Sequence, residues 1–135
     1  MKNRAFTLME LLIVVTIIGI LAAFAIPNYS QSVLKAHERD IIVQLSSIHA
    51  ANLIYRAQND DEYLIGNDLD IDAINTALGI GIVANEVDYS YTSNDGQTYT
   101  CTADYNGDFD LTITEAVLSA TNPSCSSGAG TCPTR

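Results

Sequence analysis

The chain has 135 residues, with 16 acidic against 6 basic side chains and a net charge of −10. That length allows one domain plus an appendage, and the acidity argues against non-specific affinity for nucleic acid or anionic lipid, which a basic surface would supply. The three cysteines contain no Cys-x-x-Cys pair, which sets aside zinc-ribbon and thioredoxin-like chemistry.

The first element is apolar. Lys2 and Arg4 precede Phe6–Ile26, a run of 21 residues in which Glu10 is the only charged side chain. Twenty-one helical residues span about 30 Å, enough to cross a bilayer. A secretory signal peptide would have a shorter apolar core and a small-residue cleavage site followed by a fresh domain, whereas this run passes through Pro27 into more helix. A plain single-pass anchor would keep Lys2 and Arg4 cytoplasmic, but it leaves Glu10 unexplained. A carboxylate inside such a segment costs about 2.5–3.5 kcal/mol on insertion scales. Gly19 and Pro27 weaken helical hydrogen bonding and tolerate a kink or local melting.

Beyond Pro27 the pattern stays helical. Leu34, Ile41, Ile48 and Tyr55 recur at seven-residue intervals with Leu45 between them, the stripe of an amphipathic helix over 28–58. One helix from Phe6 to about Gln58 would be about 80 Å long. His37 and His49 read as exposed or helix-packing residues. Asn59-Asp60-Asp61 ends the helix and opens a variable loop over 59–87. Within that loop Asp72–Leu78 forms a short helix, capped by Asp70 or Asp72 and ended by Gly79.

Strands follow over 88–120. VDYSYTS and QTYTCTAD are joined by Asn94-Asp95-Gly96, and QTYTCTAD and FDLTIT by Tyr105-Asn106-Gly107-Asp108. A further strand is expected from Ala116 to Ala120, giving an antiparallel sheet of three or four strands. The tail, 121–135, is rich in Gly, Ser, Thr and Pro and reads as a surface loop. Asp104, Asn106, Asp108, Asp110 and Glu115 fall at positions 1, 3, 5, 7 and 12 of a calcium-loop pattern, but Phe109 stands at position 6, where that loop requires Gly. A hairpin accounts for the same residues without metal, so no cofactor is expected and calcium is the weaker reading. No phosphate loop, nucleophile elbow or His–carboxylate pairing suggests an enzyme.

The segment AFTLMELLIVVTIIGILAAFAIPNY, residues 5–29, resembles the type IV filament superfamily of pilins and type II secretion pseudopilins. The resemblance implies a leader of residues 1–5 cleaved between Ala5 and Phe6 by a prepilin peptidase, with N-methylation of Phe6. Ala5 stands where the family most often has Gly. It implies an α+β pilin fold: a long N-terminal helix, apolar over 6–27 and amphipathic over 28–58, packed on the small sheet. It implies a homopolymer assembled from the inner membrane by a platform protein and a cytoplasmic ATPase. Glu10 would then pair with the Phe6 amine of a neighbour, offsetting its burial and penalising subunits out of register. The head would lie on the periplasmic or extracellular side, first of a single-pass precursor and then of a filament. In that oxidising setting a disulfide persists, and pairing of Cys101 with Cys125 or Cys132 is favoured over a local Cys125–Cys132 bridge. The structural pilin is the preferred function and a periplasmic pseudopilus the alternative. A DNA receptor would need a basic patch, and the acidic head argues against that reading.

Overall fold

Fifty-one consecutive residues, Leu8–Gln58, form one α-helix, α1, in the computed structural model of the chain. The structure describes residues 6–119, 121–126 and 132. The chain divides into two units, Met1–Ala36 and His37–Arg135, and α1 contributes to both.

In the first unit every side chain from Phe6 to Phe24 is exposed, although most are large and apolar. The Thr16 hydroxyl donates to the Leu12 carbonyl at 2.6 Å, which satisfies a polar group inside this apolar stretch. The backbone is helical through Gly19 and Pro27. By length and composition this helix is apolar enough to cross a membrane.

In the second unit α1 buries Ile41, Leu45 and Ile48, which are 0–2% exposed, at the three- and four-residue spacing of one helical face. That face meets a five-stranded antiparallel meander in sequence order: β1 Gly66–Leu69, β2 Val87–Ser93, β3 Thr100–Tyr105, β4 Phe109–Thr114 and β5 Ser124–Ser126. Alternate residues of the three central strands point inward: Tyr89 and Tyr91, Cys101 and Ala103, Phe109, Leu111 and Ile113. The second helix, α2 (Ile71–Leu78), lies between β1 and β2 in sequence and buries Ile74. The Asp70 carboxylate caps it by accepting from Ala73 N at 2.9 Å, and Gly79 ends it at φ 65° with its N–H on the Asn75 carbonyl. Of the two caps the sequence offers, Asp70 is the one used.

The sheet differs from the expectation in two places. It has five strands, not three or four. The first, Gly66–Leu69, sits inside the segment read as a loop; its GNDL composition carries no strand signal, and its pairing with β2 is irregular, with a register shift between Gly66 and Leu69. The strand expected over 116–120 does not form among its described residues. Val117 is 85% exposed and Leu118 43%, so this short apolar run has no inward face. The backbone instead folds back at the buried Asn122. Its Nδ2 donates to the Ala116 carbonyl at 2.6 Å, and its Oδ1 accepts from Thr114 N at 3.2 Å. This return delivers Ser124–Ser126 to β4 as the fifth strand.

Candidate functional site

The candidate assembly site is the start of α1. Thr7 is the residue before the helix, and Glu10 lies three residues on. The Glu10 carboxylate accepts from Thr7 N at 2.9 Å and from the Thr7 hydroxyl at 2.9 Å, while Glu10 N donates to that hydroxyl at 3.2 Å. This is a reciprocal capping box, which supplies partners to amides that the first turn would otherwise leave open. Glu10 therefore has a role within its own chain, beside any it has between chains. The signal is present in the sequence as Thr-x-x-Glu ahead of an apolar run. Phe6, 76% exposed, precedes the cap. Ala5 lies outside the described residues. Gly19 has nothing within 4 Å of a built Cβ, so its surface is open to close approach by another helix.

A second group of residues holds α1 to the head. Gln44, His49, Asn52 and Arg56 each contact a tyrosine hydroxyl. Tyr89 donates to the Gln44 amide oxygen. Tyr99 shares a short hydrogen bond with His49 Nδ1. Asn52 Nδ2 donates to Tyr91 at 2.8 Å, and Arg56 donates to Tyr63 at 3.1 Å. Tyr99 stacks on Tyr91 at 5.4 Å and meets Tyr63 edge-on at 5.0 Å. Arg56 also caps the face of the Tyr63 ring at 4.9 Å and bridges to Asp61 at 2.7 Å. Burial raises the phenol pKa of Tyr91 to about 12 and pushes those of Tyr89 and Tyr99 higher still. These hydroxyls thus stay protonated and serve as fixed donors. Burial also lowers the His49 pKa, partly opposed by a backbone hydrogen bond to Thr114. His37 stacks on Tyr105 at 4.5 Å, so both histidines pack rather than gather around a metal.

The cysteines correct the favoured pairing. Cys125 and Cys132 form the disulfide, with Cα atoms 6.2 Å apart, and Cys101 is a buried free thiol. Strand order explains this. Cys101 on β3 pairs with Ile113 on β4, while Cys125 on β5 pairs with Leu111 on the opposite edge of β4. Two strand spacings, about 10 Å, separate β3 from β5, beyond the reach of about 7 Å that a disulfide spans. Burial pushes the Cys101 thiol up to about 12, which leaves it unreactive.

The calcium candidates are not gathered into a loop. Asp104 and Asp110 face each other across β3 and β4, Asn106 and Asp108 lie in the intervening turn, and Glu115 follows the far end of β4, where it accepts from Tyr99 N at 3.4 Å. Glu115 is thus a strand's length, about 20 Å, from the turn. Among the described residues no group of three or more His, Cys, Asp or Glu could hold a metal ion.

A membrane-length apolar helix opened by a capped carboxylate, running on to pack against an antiparallel meander, defines a pilin-like protein. A family model described as the prokaryotic N-terminal methylation motif matches residues 1–26. The chain thus carries this motif at its start, and the proteins it is similar to are type IV pilins and type II secretion system core proteins. It is 41% identical over 59 residues, 44% of its length, to the type IV major pilin protein PilA of Myxococcus xanthus (strain DK1622), covering 27% of that protein. It is 46% identical over 50 residues, 37% of its length, to the fimbrial protein EcpB of Eikenella corrodens, covering 31% of that protein. It is 31% identical over 58 residues, 43% of its length, to the type II secretion system core protein G of Klebsiella pneumoniae, covering 41% of that protein. Each match spans less than half of the relative's own length.

Proposed function

We propose that this protein is a structural subunit, a pilin, that polymerises through its N-terminal helix into a type IV pilus-like filament. The observation that carries this reading is the start of α1: an exposed apolar helix whose one carboxylate, Glu10, lies four residues from Phe6. Left in water, that surface would be a strong aggregation hazard. A bilayer covers it in the precursor, and neighbouring helices cover it in a polymer. Removal of residues 1–5 by a prepilin peptidase frees the Phe6 amine, which is then methylated. Glu10 pairs with the Phe6 amine of a neighbouring subunit in a low-dielectric setting, where an unpaired charge is strongly penalised. The register of the growing polymer follows from that pairing. Gly19 and Pro27 lower the cost of local unwinding as helices crowd together. The subunit is structural and not an enzyme, so a membrane platform protein and a cytoplasmic ATPase supply the work of assembly.

The presence of secretion-system core protein G among the relatives favours one alternative, a pseudopilin in a periplasmic pseudopilus. Electron microscopy of filaments sheared from cells, with mass spectrometry of the subunit's N-terminus, separates the two. Long filaments built from subunits beginning at methylated Phe6 support the pilin. Processed protein retained in the envelope, with none in sheared filaments, supports the pseudopilin. Retention of Met1–Ala5 in the native protein would overturn both.

A further inference from the structure

We propose that the Asn106–Gly107 bond is a site of spontaneous deamidation, and that Asp104 holds it shut in the folded protein. Asn106 is exposed at the turn between β3 and β4, and its neighbour Gly107 has no side chain to shield the intervening amide. Both residues have positive φ, 50° and 75°, as a tight hairpin requires. The chemistry needs only water. The Gly107 nitrogen attacks Cγ of Asn106, a new N–C bond closes a five-membered imide, and the amide proton passes to solvent. The bond between Cγ and Nδ2 of Asn106 breaks and ammonia leaves. Water then opens the imide at either carbonyl to give aspartate or isoaspartate, with no change of oxidation state.

The nitrogen that must attack is occupied in this structure. Gly107 N donates to Asp104 Oδ1 at 2.7 Å, the length of a strong bond to an ionised acceptor. The turn is closed a second time by Asp108 N donating to the Tyr105 carbonyl at 2.8 Å. Asp104 is itself fixed, since it lies in β3 between Asp88 on β2 and Asp110 on β4. A carboxylate is far too weak a base to remove a peptide proton at neutral pH. Its hydrogen bond therefore stabilises the N–H form and engages the hydrogen that ring closure must remove. Ring closure requires that bond to break and the turn to rotate. The product would place another negative charge beside Asp104, Asp108 and Asp110, and like charges on facing strands are destabilising. The isoaspartate form would also lengthen the backbone of a turn that has no slack. Asp104 thus preserves the hairpin's chemistry as well as its shape, whatever the protein assembles into.

The test follows Asn106 in the full-length protein in detergent at neutral pH, by peptide mapping in heavy-oxygen water with fragmentation that separates aspartate from isoaspartate. The references are a synthetic peptide of residues 98–114, the variant Asp104→Ala, and Asp104→Asn, whose amide oxygen still accepts. The folded protein is expected to convert about tenfold more slowly than the peptide, and Asp104→Ala about tenfold faster than the parent, equivalent to about 1.4 kcal/mol of barrier. Asp104→Asn should fall between. Equal rates in parent and Asp104→Ala would overturn the proposal, as would a slower Asp104→Ala, which would make the carboxylate a base. Should circular dichroism show Asp104→Ala unfolded, the parent and peptide decide alone, and equal rates there overturn it.

Discussion

Asn52 of α1 and Tyr91 of β2 complete each other's hydrogen bonding in the core: the Asn52 amide donates to the Tyr91 oxygen at 2.8 Å, and the Tyr91 hydroxyl donates onward to the Leu64 carbonyl at 2.8 Å. Leu64 N returns a bond to Asn52 Oδ1 at 3.2 Å, which closes a ring of helix, strand and loop. Both side chains are 0% exposed. Asn52→Ala leaves a buried Leu64 N–H without an acceptor, at a cost of about 1–3 kcal/mol. A lowered urea midpoint with unchanged slope checks this, and an unchanged midpoint contradicts it.

The hydrophobic half of the same interface is tested at Leu45, which is fully buried. Leu45→Ala removes packing at a site bounded by strands that cannot collapse far. The expected loss is about 2–5 kcal/mol, read as a fall in thermal midpoint of the head. A loss under about 1 kcal/mol, well below that range, would mean that the helix is not seated on the sheet as described.

His49 makes the head sensitive to mild acid. Its folded pKa lies below the unfolded value, first because burial disfavours the charged ring, with the Thr114 backbone opposing. Tyr99 faces its Nδ1, and the Glu115 carboxylate accepts from Tyr99 N at 3.4 Å. With a depressed histidine pKa, the unfolded state binds the extra proton first. Stability is therefore full above about pH 6.5 and declines as pH falls below it. Thermal melts from neutral into mildly acidic buffer should show this decline, and His49→Gln should flatten it in that window. An equal decline in the variant would place the effect elsewhere.

Glu10 caps the helix start, and one substitution can separate that role from the assembly role proposed for it. Glu10→Gln keeps an oxygen for Thr7 but loses the charge, so the helix start should survive while filaments disappear. Thr7→Ala should instead fray the first turn, at about 0.5–2 kcal/mol. Hydrogen exchange at the first amides in detergent reads the cap, and electron microscopy reads assembly. Normal filaments from Glu10→Gln would reduce Glu10 to a cap.

The cysteine assignment is tested by labelling. Alkylation of the native protein under non-reducing conditions should spare Cys101 until the head unfolds, and peptide mapping should recover Cys125 linked to Cys132. Closing so short a loop stabilises by about 2–3 kcal/mol at most, so reduction should lower the melting point while leaving the sheet intact.

The parts legible in the sequence are those governed by local rules. Strand β2 is the expected VDYSYTS, the caps of α2 are Asp70 and Gly79, and α1 ends ahead of Asn59-Asp60-Asp61. The parts that escape it depend on distant partners. GNDL becomes a strand only because β2 offers it an edge, and β5 forms because Asn122 turns the backbone back with bonds that no spacing announces. The cysteine pairing escapes for the same reason, since it depends on which strand lies between two others. The seam of Gln44, His49, Asn52 and Arg56 is hidden because polar residues within an apolar stripe look like interruptions until the tyrosines opposite them are placed.

The two outer strands carry a last consequence. On one side β1 is four residues long, with a register shift and Asp68 at φ 55°; on the other β5 is three residues long and follows Pro123. Short, bent or proline-flanked margins are poor templates for the backbone of another molecule. Heads of this kind can be crowded at very high local density without their sheets fusing. In the filament proposed above, order would then rest on the helix, with both borders of the sheet poorly suited to cross-β pairing.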